Sequence, residues 1–207
     1  MIYPQELGIK SDIVLDKDSV GEHVCGDVMK RFGVAILYGT IIAKDVPSDG
    51  KVCVACCEKQ LDKYLDGINH VVEIGTKFGV GSTFLAHRSK HLTTIDIVPR
   101  TEPIAVWDFF GVSKKITYVV VESDEEKREY LQGIDFDFAV IDGGHTYKDV
   151  ESDFECVKKC GRVLFHEYIL TPPKREPDKF KPTIDFLKTL PQDEIVYDEP
   201  FAYWEKR

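Results

Sequence analysis

From Lys51 onward the chain alternates between strand-like and helix-like segments. The first predicted strand, HVVEIG (70–75), is followed by a predicted helix, GSTFLAHRSK (81–90), and the same order continues through the strands LTTIDI, ITYVVV, FDFAVID and RVLFHE. Strands that alternate with helices form a parallel sheet covered on both faces, because each right-handed crossover places a helix against the sheet. The alternation therefore predicts a Rossmann-like, doubly wound α/β fold.

The end of the chain departs from this alternation. The last two predicted strands, in EIVYDEP and FAYWEKR, have only Glu199 and Pro200 between them. So short a link can join two strands only as an antiparallel hairpin. We therefore expect a seven-stranded sheet that is mostly parallel and ends in an antiparallel C-terminal hairpin at its edge.

Composition bounds the class of protein. The chain has 207 residues, of which 43% are hydrophobic, and a net charge of -9. We expect a single domain over residues 1–207, with residues 1–50 as an N-terminal appendage. The negative charge repels a polyanion, so nucleic acid is not an expected partner. No apolar run approaches the ~20 residues that span a membrane, and the N-terminus lacks a signal-peptide pattern, so we expect a cytoplasmic protein.

The six cysteines raise the question of a zinc site. CVACC (53–57) and CVKKC (156–160) have spacings that resemble half-sites for zinc. The same cysteines recur at helical spacing with apolar neighbours, which is typical of a buried helix face. We therefore interpret them as core thiols rather than as metal ligands.

The stretch VVEIGTKFGVGS places Gly75, Gly79 and Gly81 directly after a strand. Glycines let the backbone turn sharply and approach a ligand closely, and the helix that follows directs unpaired N–H groups at it. The dinucleotide fingerprint G-x-G-x-x-G needs a glycine where this chain has Lys77. The loop therefore predicts a ligand site, with Gly75 and Gly79 as binding residues, that fits a dinucleotide poorly.

Asp96 ends the next predicted strand, LTTIDI. A carboxylate at this place can accept hydrogen bonds from both hydroxyls of a ribose. We therefore expect a ligand with an adenosine-like moiety and without a pyrophosphate. The alternative is that Asp96 caps the helix that follows.

Several segments together resemble a known family. VVEIGTKFGVGSTFLA, LTTIDI, FDFAVIDGGHTYKDVESDFE and RVLFHE are similar to the corresponding segments of class I S-adenosylmethionine-dependent methyltransferases. The resemblance covers about residues 51–207 and is greatest to the group with D-G-x-H after the fourth strand and H-D after the fifth. It implies S-adenosylmethionine as the cofactor and an antiparallel seventh strand inserted beside the sixth.

The resemblance also implies roles for individual residues. It places Glu73 and Gly75 beside the methionyl part of the cofactor, and Asp96 at the ribose. Glu122 and Ser123 fall where the family contacts the adenine edge. Carboxylates suit this cofactor, because its sulfonium and ammonium cations are attracted to negative charge.

The turn IDGGH (141–145) carries candidate catalytic residues. Asp142 leaves the fourth strand on a Gly-Gly turn that places His145 at the rim of the same crevice. A histidine exchanges protons near neutral pH, so His145 could deprotonate a methyl acceptor; alternatively it only holds the turn by a hydrogen bond. In metal-dependent relatives the positions of Asp142, His166 and Glu167 bind a divalent cation. Glu167 replaces the family's usual aspartate, so the resemblance leaves the metal open.

These features predict S-adenosylmethionine-dependent methyl transfer to an oxygen of a small-molecule acceptor, with Asp142 and His145 as catalytic residues. The alternative is a non-catalytic domain of the same fold that binds a nucleoside ligand or a partner protein, since function depends on the site rather than on the fold. A nicotinamide oxidoreductase is disfavoured by Lys77. Neither TPPKREPDKFKP (171–182) nor the N-terminal appendage identifies the acceptor, although either could form a lid.

Overall fold

The computed structural model describes residues 58–77, 79–166, 168, 178 and 180–207. The predicted N-terminal appendage, the first cysteine cluster, Glu167 and most of the predicted lid segment lie outside these residues. Within the described ranges, no helix has the length and apolar character needed to cross a membrane.

Helices and strands alternate along the described chain as the sequence predicts. The strands are β1 (His70–Ile74), β2 (His91–Asp96), β3 (Ile116–Val120), β4 (Phe138–Ile141), β5 (Arg162–Phe165), β6 (Ile195–Asp198) and β7 (Phe201–Glu205). The α-helices are α1 (Glu58–Leu65), α2 (Val80–Arg88), α3 (Glu102–Phe109), α4 (Asp124–Gln132), α5 (Tyr147–Val157) and α6 (Lys181–Leu187). Short 3-10 turns precede β3, β5 and β6.

The strands form one sheet in the order β3-β2-β1-β4-β5-β7-β6. The five strands β1 to β5 are parallel to one another, whereas β7 runs antiparallel to both β5 and β6. The doubly wound sheet and its C-terminal hairpin are therefore confirmed, with the seventh strand inserted between the fifth and sixth. The chain order reverses between β1 and β4, and open α/β sheets bind ligands at the carboxyl ends of the strands at such a point.

The core lies on both faces of the sheet, because successive side chains of a strand point to opposite faces. On β1, Val71 packs in one apolar cluster and Val72 in the other, and Leu164 and Phe165 divide in the same way on β5. Helices cover both clusters, so the central strands are buried on both faces. This burial holds the carboxyl ends of the strands in fixed positions relative to one another.

Two helices begin directly after strand ends through side-chain caps. The Ser123 hydroxyl accepts a hydrogen bond from the Glu126 backbone N–H at 3.2 Å, at the start of α4. Thr146 and Asp149 form a reciprocal capping box at the start of α5. Such caps satisfy N–H groups that have no partner within the helix, and they fix the turns that join β3 and β4 to their helices.

Candidate active site

Four backbone hydrogen bonds align the ends of the five parallel strands along the carboxyl edge of the sheet. The N–H of Gly75 donates to Ile95 O at 2.8 Å, and the N–H of Asp142 donates to Ile74 O at 2.9 Å. On either side, Val121 N donates to Asp96 O and His166 N donates to Ile141 O, each at 3.0 Å. The ladder therefore brings the predicted residues Gly75, Asp96, Asp142 and His166 to one edge.

Gly75 lies where two of these segments approach most closely. Its backbone has a φ of 100°, in the region that favours glycine. A Cβ at this position would lie 2.6 Å from the carbonyl carbon of Asp142 and 2.9 Å from the Cα of Gly143. The glycine is therefore needed because the β1 and β4 turns touch each other through their backbones.

Gly79 meets a helix rather than a strand. Its φ is 74°, and an added Cβ would lie 2.6 Å from Trp107 Nε1 and 2.8 Å from Pro103 Cβ, both on α3. The Gly79 carbonyl accepts a hydrogen bond from Trp107 Nε1 at 3.0 Å. Between the two glycines, Lys77 also adopts a positive φ of 49°. The glycine loop (75–79) is thus held in place by α3.

The Asp96 carboxylate connects the glycine loop to the turn after β2. Its Oδ2 accepts hydrogen bonds from the backbone N–H groups of Thr76 at 3.1 Å and Lys77 at 2.8 Å. Its Oδ1 accepts a hydrogen bond from Val98 N at 3.0 Å. These partners all precede α3, so the alternative that Asp96 caps that helix does not describe the structure. The carboxylate instead joins the glycine loop on one side to the turn after β2 on the other.

Glu73 lies beneath the glycine loop and is 2% exposed. Its Oε2 accepts hydrogen bonds from the hydroxyls of Ser82 and, at 2.6 Å, Thr94. Because Thr94 uses its proton in this bond, the 2.7 Å contact between Thr76 and Thr94 has Thr76 as the donor. Burial raises the pKa of Glu73 to about 8, although both hydroxyl donors oppose the shift. Glu73 is therefore mostly a neutral acid at pH 7.

The predicted adenine-edge residues lie just beyond β3. Glu122 is exposed, and its backbone N–H donates to Glu126 Oε2 at 2.8 Å. The Ser123 hydroxyl caps α4, as described above. The structure thus gives Ser123 a capping role, and its contact with an adenine remains a prediction.

Asp142 and His166 contact each other at the rim of the crevice. His166 Nδ1 lies 2.7 Å from Asp142 Oδ1. The side chain of Asp142 is one-quarter exposed, whereas His166 Nε2 is buried and has no hydrogen-bond partner among the described residues. Two of the three predicted metal ligands are therefore adjacent. Within the described ranges, no three His, Cys, Asp or Glu side chains are grouped as a metal site.

His145 is exposed on the turn that follows Asp142. The two glycines before it pack closely on α5, since a Cβ on Gly143 would lie 3.0 Å from Asp153 Oδ2 and one on Gly144 would lie 2.6 Å from Asp149 Cγ. The IDGGH turn therefore packs against the N-terminal half of α5. Of the cysteines on that side, Cys156 is buried in the core, in agreement with its interpretation as a core thiol.

A buried ion pair behind this turn was not predicted from the sequence. Lys127 Nζ on α4 lies 2.5 Å from Asp153 Oδ1 on α5, and the two side chains are 7% and 3% exposed. Burial raises the pKa of Asp153 to about 6, against the opposing effect of Lys127. The two residues are 26 positions apart on different helices, so no local pattern could have paired them.

Comparison with known proteins agrees with this architecture. Residues 72–168 match the model of a family described as a methyltransferase domain. No curated protein sequence matches the chain significantly. The match and the fold confirm the resemblance to class I S-adenosylmethionine-dependent methyltransferases seen in the sequence.

Solved structures with the same fold include three methyltransferases of low sequence identity. A Staphylococcus aureus protein assigned as a caffeoyl-CoA O-methyltransferase aligns with a TM-score of 0.60 at 16% identity, over 84% of this chain and 92% of its own. TomG, an O-methyltransferase of tomaymycin synthesis from Streptomyces achromogenes in complex with S-adenosylmethionine, gives 0.58 at 18%, over 79% and 85%. A Bacillus cereus O-methyltransferase in complex with S-adenosylhomocysteine gives 0.55 at 14%, over 80% and 86%.

Proposed function

We propose that the chain transfers the methyl group of S-adenosylmethionine to an oxygen atom of a small-molecule acceptor. The observation that carries the proposal is the row of strand ends at the β1–β4 switch point, which lies within the segment that matches a methyltransferase domain. The similar structures described above are O-methyltransferases, which supports oxygen as the accepting atom.

The charge of the crevice fits this cofactor. Asp96, Glu122 and Asp142 lie at or just beyond three strand ends, and each is at least partly exposed. When bound, S-adenosylmethionine supplies a methyl group on a sulfonium cation. Carboxylates attract such a cation, whereas they repel the pyrophosphate of a dinucleotide. The acidic edge therefore favours this cofactor over a nicotinamide dinucleotide.

Asp96 would hold the ribose of the cofactor. A carboxylate has about four lone-pair sites, and the three backbone N–H groups at Asp96 use three of them. At least one site remains for a ribose hydroxyl, and further hydroxyl contacts would replace or share the present ones. Glu122, which is exposed at the end of β3, would face the adenine. The glycine loop would cover the methionyl part.

His145 would accept the proton of the acceptor hydroxyl. Its position on an exposed turn beside Asp142 gives a bound acceptor direct access to the imidazole. A divalent cation is the alternative route, in which positive charge would lower the affinity of the acceptor oxygen for its proton. Asp142, His166 and Glu167 would be its ligands, and the 2.7 Å contact between Asp142 Oδ1 and His166 Nδ1 places two of them side by side.

Two measurements test the proposed function. Isothermal titration of S-adenosylhomocysteine into the protein should show saturable one-site binding. A panel of small hydroxylated acceptors should then incorporate label from S-adenosylmethionine labelled in its methyl group, while the matching acceptors with the hydroxyl already methylated should not. Equal labelling of both sets would contradict transfer to oxygen, and absence of cofactor binding would contradict the function as a whole.

A further inference from the structure

Two buried aromatic residues connect the loops on either side of Asp96. Tyr118 on β3 and Trp107 on α3 are both 0% exposed. Their rings meet edge to face, with centroids 5.5 Å apart and an interplanar angle of 81°. Neither residue is exposed to the crevice, so neither can touch a ligand there.

The polar atom of each ring bonds to the backbone of a different loop. Trp107 Nε1 donates to the carbonyl of Gly79 at 3.0 Å. The hydroxyl of Tyr118 donates to the carbonyl of Val98 at 3.1 Å and accepts from the N–H of Arg100 at 3.3 Å. The bond to Gly79 is buried and those of Tyr118 are partly buried, so losing a partner at these backbone groups is costly, and the two side chains restrain both loops.

Together with Asp96, the pair closes a ring of contacts. On one side the Asp96 carboxylate joins Lys77 of the glycine loop to Val98 of the next turn. On the other side Trp107 and Tyr118 join Gly79 to the same turn. The N–H of Val98 is thus held by Asp96 and its carbonyl by Tyr118. The position of the Asp96 carboxylate therefore depends on the tyrosine hydroxyl as well as on its own strand.

We propose that Tyr118 and Trp107 are positioning residues that set the geometry of the adenosine side of the cofactor site. The inference rests on the proposed function, since it assigns the ring of loops around Asp96 to the ribose and adenine. A phenylalanine at position 118 would fill the same space in the core, so packing alone does not require the hydroxyl. The two hydrogen bonds of the Tyr118 hydroxyl instead hold the backbone of the turn after Asp96.

Tyr118→Phe tests the proposal, with Tyr64→Phe as the matched control. Tyr64 is also a buried tyrosine, and its hydroxyl donates to Asp198 Oδ2 at 2.8 Å at the opposite, β6–β7 end of the sheet. Titration calorimetry would use two probes: S-adenosylhomocysteine and 5′-methylthioadenosine, which lacks the amino-acid part. Tyr118→Phe removes both backbone hydrogen bonds of the hydroxyl and should weaken both probes by the same factor, about 5- to 10-fold. Tyr64→Phe should leave both affinities unchanged.

A second variant and a second measurement separate positioning from stability. Trp107→Phe retains an aromatic ring but loses the bond to Gly79, and it should also weaken both probes. In the protein without ligand, hydrogen exchange at Thr76 and Lys77 should become faster in Tyr118→Phe, although the hydroxyl bonds to Val98 and Arg100 in the next turn. A purely structural role would change the melting temperature without this remote effect.

The outcomes are distinct. Wild-type affinity for both probes in Tyr118→Phe, or equal weakening by Tyr64→Phe, overturns the inference and leaves the proposed function intact. Failure of the wild-type protein to bind S-adenosylhomocysteine overturns the proposed function and the inference together. Unchanged exchange at Thr76 and Lys77 shows that the two loops are not coupled through the tyrosine, which also overturns the inference.

Discussion

Glu73→Gln should remove a pH dependence from the stability of the protein. Glu73 is buried beneath the glycine loop, and burial raises its pKa from 4.5 to about 8. The folded state therefore holds a proton that the unfolded chain releases above pH 4.5. The stability associated with this proton is fully present below pH 4.5 and is lost as the pH rises through 8. Glutamine resembles the neutral acid at every pH, so the variant should not show the loss.

The size of the effect follows from the shift. Each pKa unit corresponds to about 1.4 kcal/mol, so the change from 4.5 to about 8 corresponds to at most about 5 kcal/mol. Between pH 5.5 and 7.5, both inside this window, the wild-type protein should lose about 2.5 kcal/mol of stability relative to Glu73→Gln. The two hydroxyls that donate to Glu73 can still donate to the amide oxygen of glutamine.

Urea denaturation of both proteins at several pH values measures this difference. Subtracting the free energies of unfolding removes the titration of all other carboxylates, because the two chains share them. Glu129→Gln, at an exposed position on α4, provides a matched control for the replacement of one glutamate by glutamine. A difference for Glu73→Gln that stays constant between pH 5 and 8.5 would refute the assignment of a proton to the buried acid.

Three further predictions concern the turns of the site. Gly75→Ala should lower the free energy of unfolding by more than about 3 kcal/mol or prevent folding, as measured by urea denaturation. Gly67 has a similar positive φ, but an added Cβ there would meet nothing within 4 Å, so Gly67→Ala should cost only about 1–2 kcal/mol. Equal costs would show that the close approach at Gly75 is unimportant. Lys127→Met should lower the free energy of unfolding by about 3–5 kcal/mol at pH 7.5, because it leaves Asp153 charged and unpaired. The loss should be smaller below pH 6, where Asp153 is protonated. A loss that does not depend on pH would contradict a charged pair between Lys127 and Asp153. His145→Ala should lower the transfer rate by about 10²–10⁴-fold while EDTA has no effect; loss of activity in EDTA that a divalent cation restores would favour the metal instead.

The sheet could be predicted from the sequence because its signals are local. The strand segments and the helices between them are visible as separate runs, and the two-residue link at Glu199 and Pro200 fixes an antiparallel hairpin. The same locality explains why Gly75, Asp96 and Asp142 were identified as neighbours. Asp96 ends a parallel strand, Gly75 and Asp142 each follow one directly, and parallel strands end at the same edge.

The contacts that hold the site together were not predictable in this way. The sequence places Glu73 at the end of a strand but does not reveal that Ser82 and Thr94 enclose it from other elements. Lys127 and Asp153 lie on different helices, so their pairing depends on how those helices pack. Such contacts follow from tertiary packing, which single-sequence patterns do not encode.

A local signal was present at Ser123, where S-x-x-E precedes a helix and is typical of an N-cap. The structure uses it as one, since the hydroxyl accepts the N–H of Glu126. Trp107 and Tyr118 carry no comparable signal, because aromatic residues in a helix and a strand are typical of any core. Their role is apparent only from the backbone atoms that they contact.

A crystal structure of the protein grown with S-adenosylhomocysteine would test the central claim most directly. The ligand should lie at the carboxyl ends of β1 and β2, with a ribose hydroxyl within hydrogen-bond distance of the Asp96 carboxylate and the adenine beside the end of β3 near Glu122. A ligand bound elsewhere on the protein, or bound at this edge with its ribose away from Asp96, would contradict it.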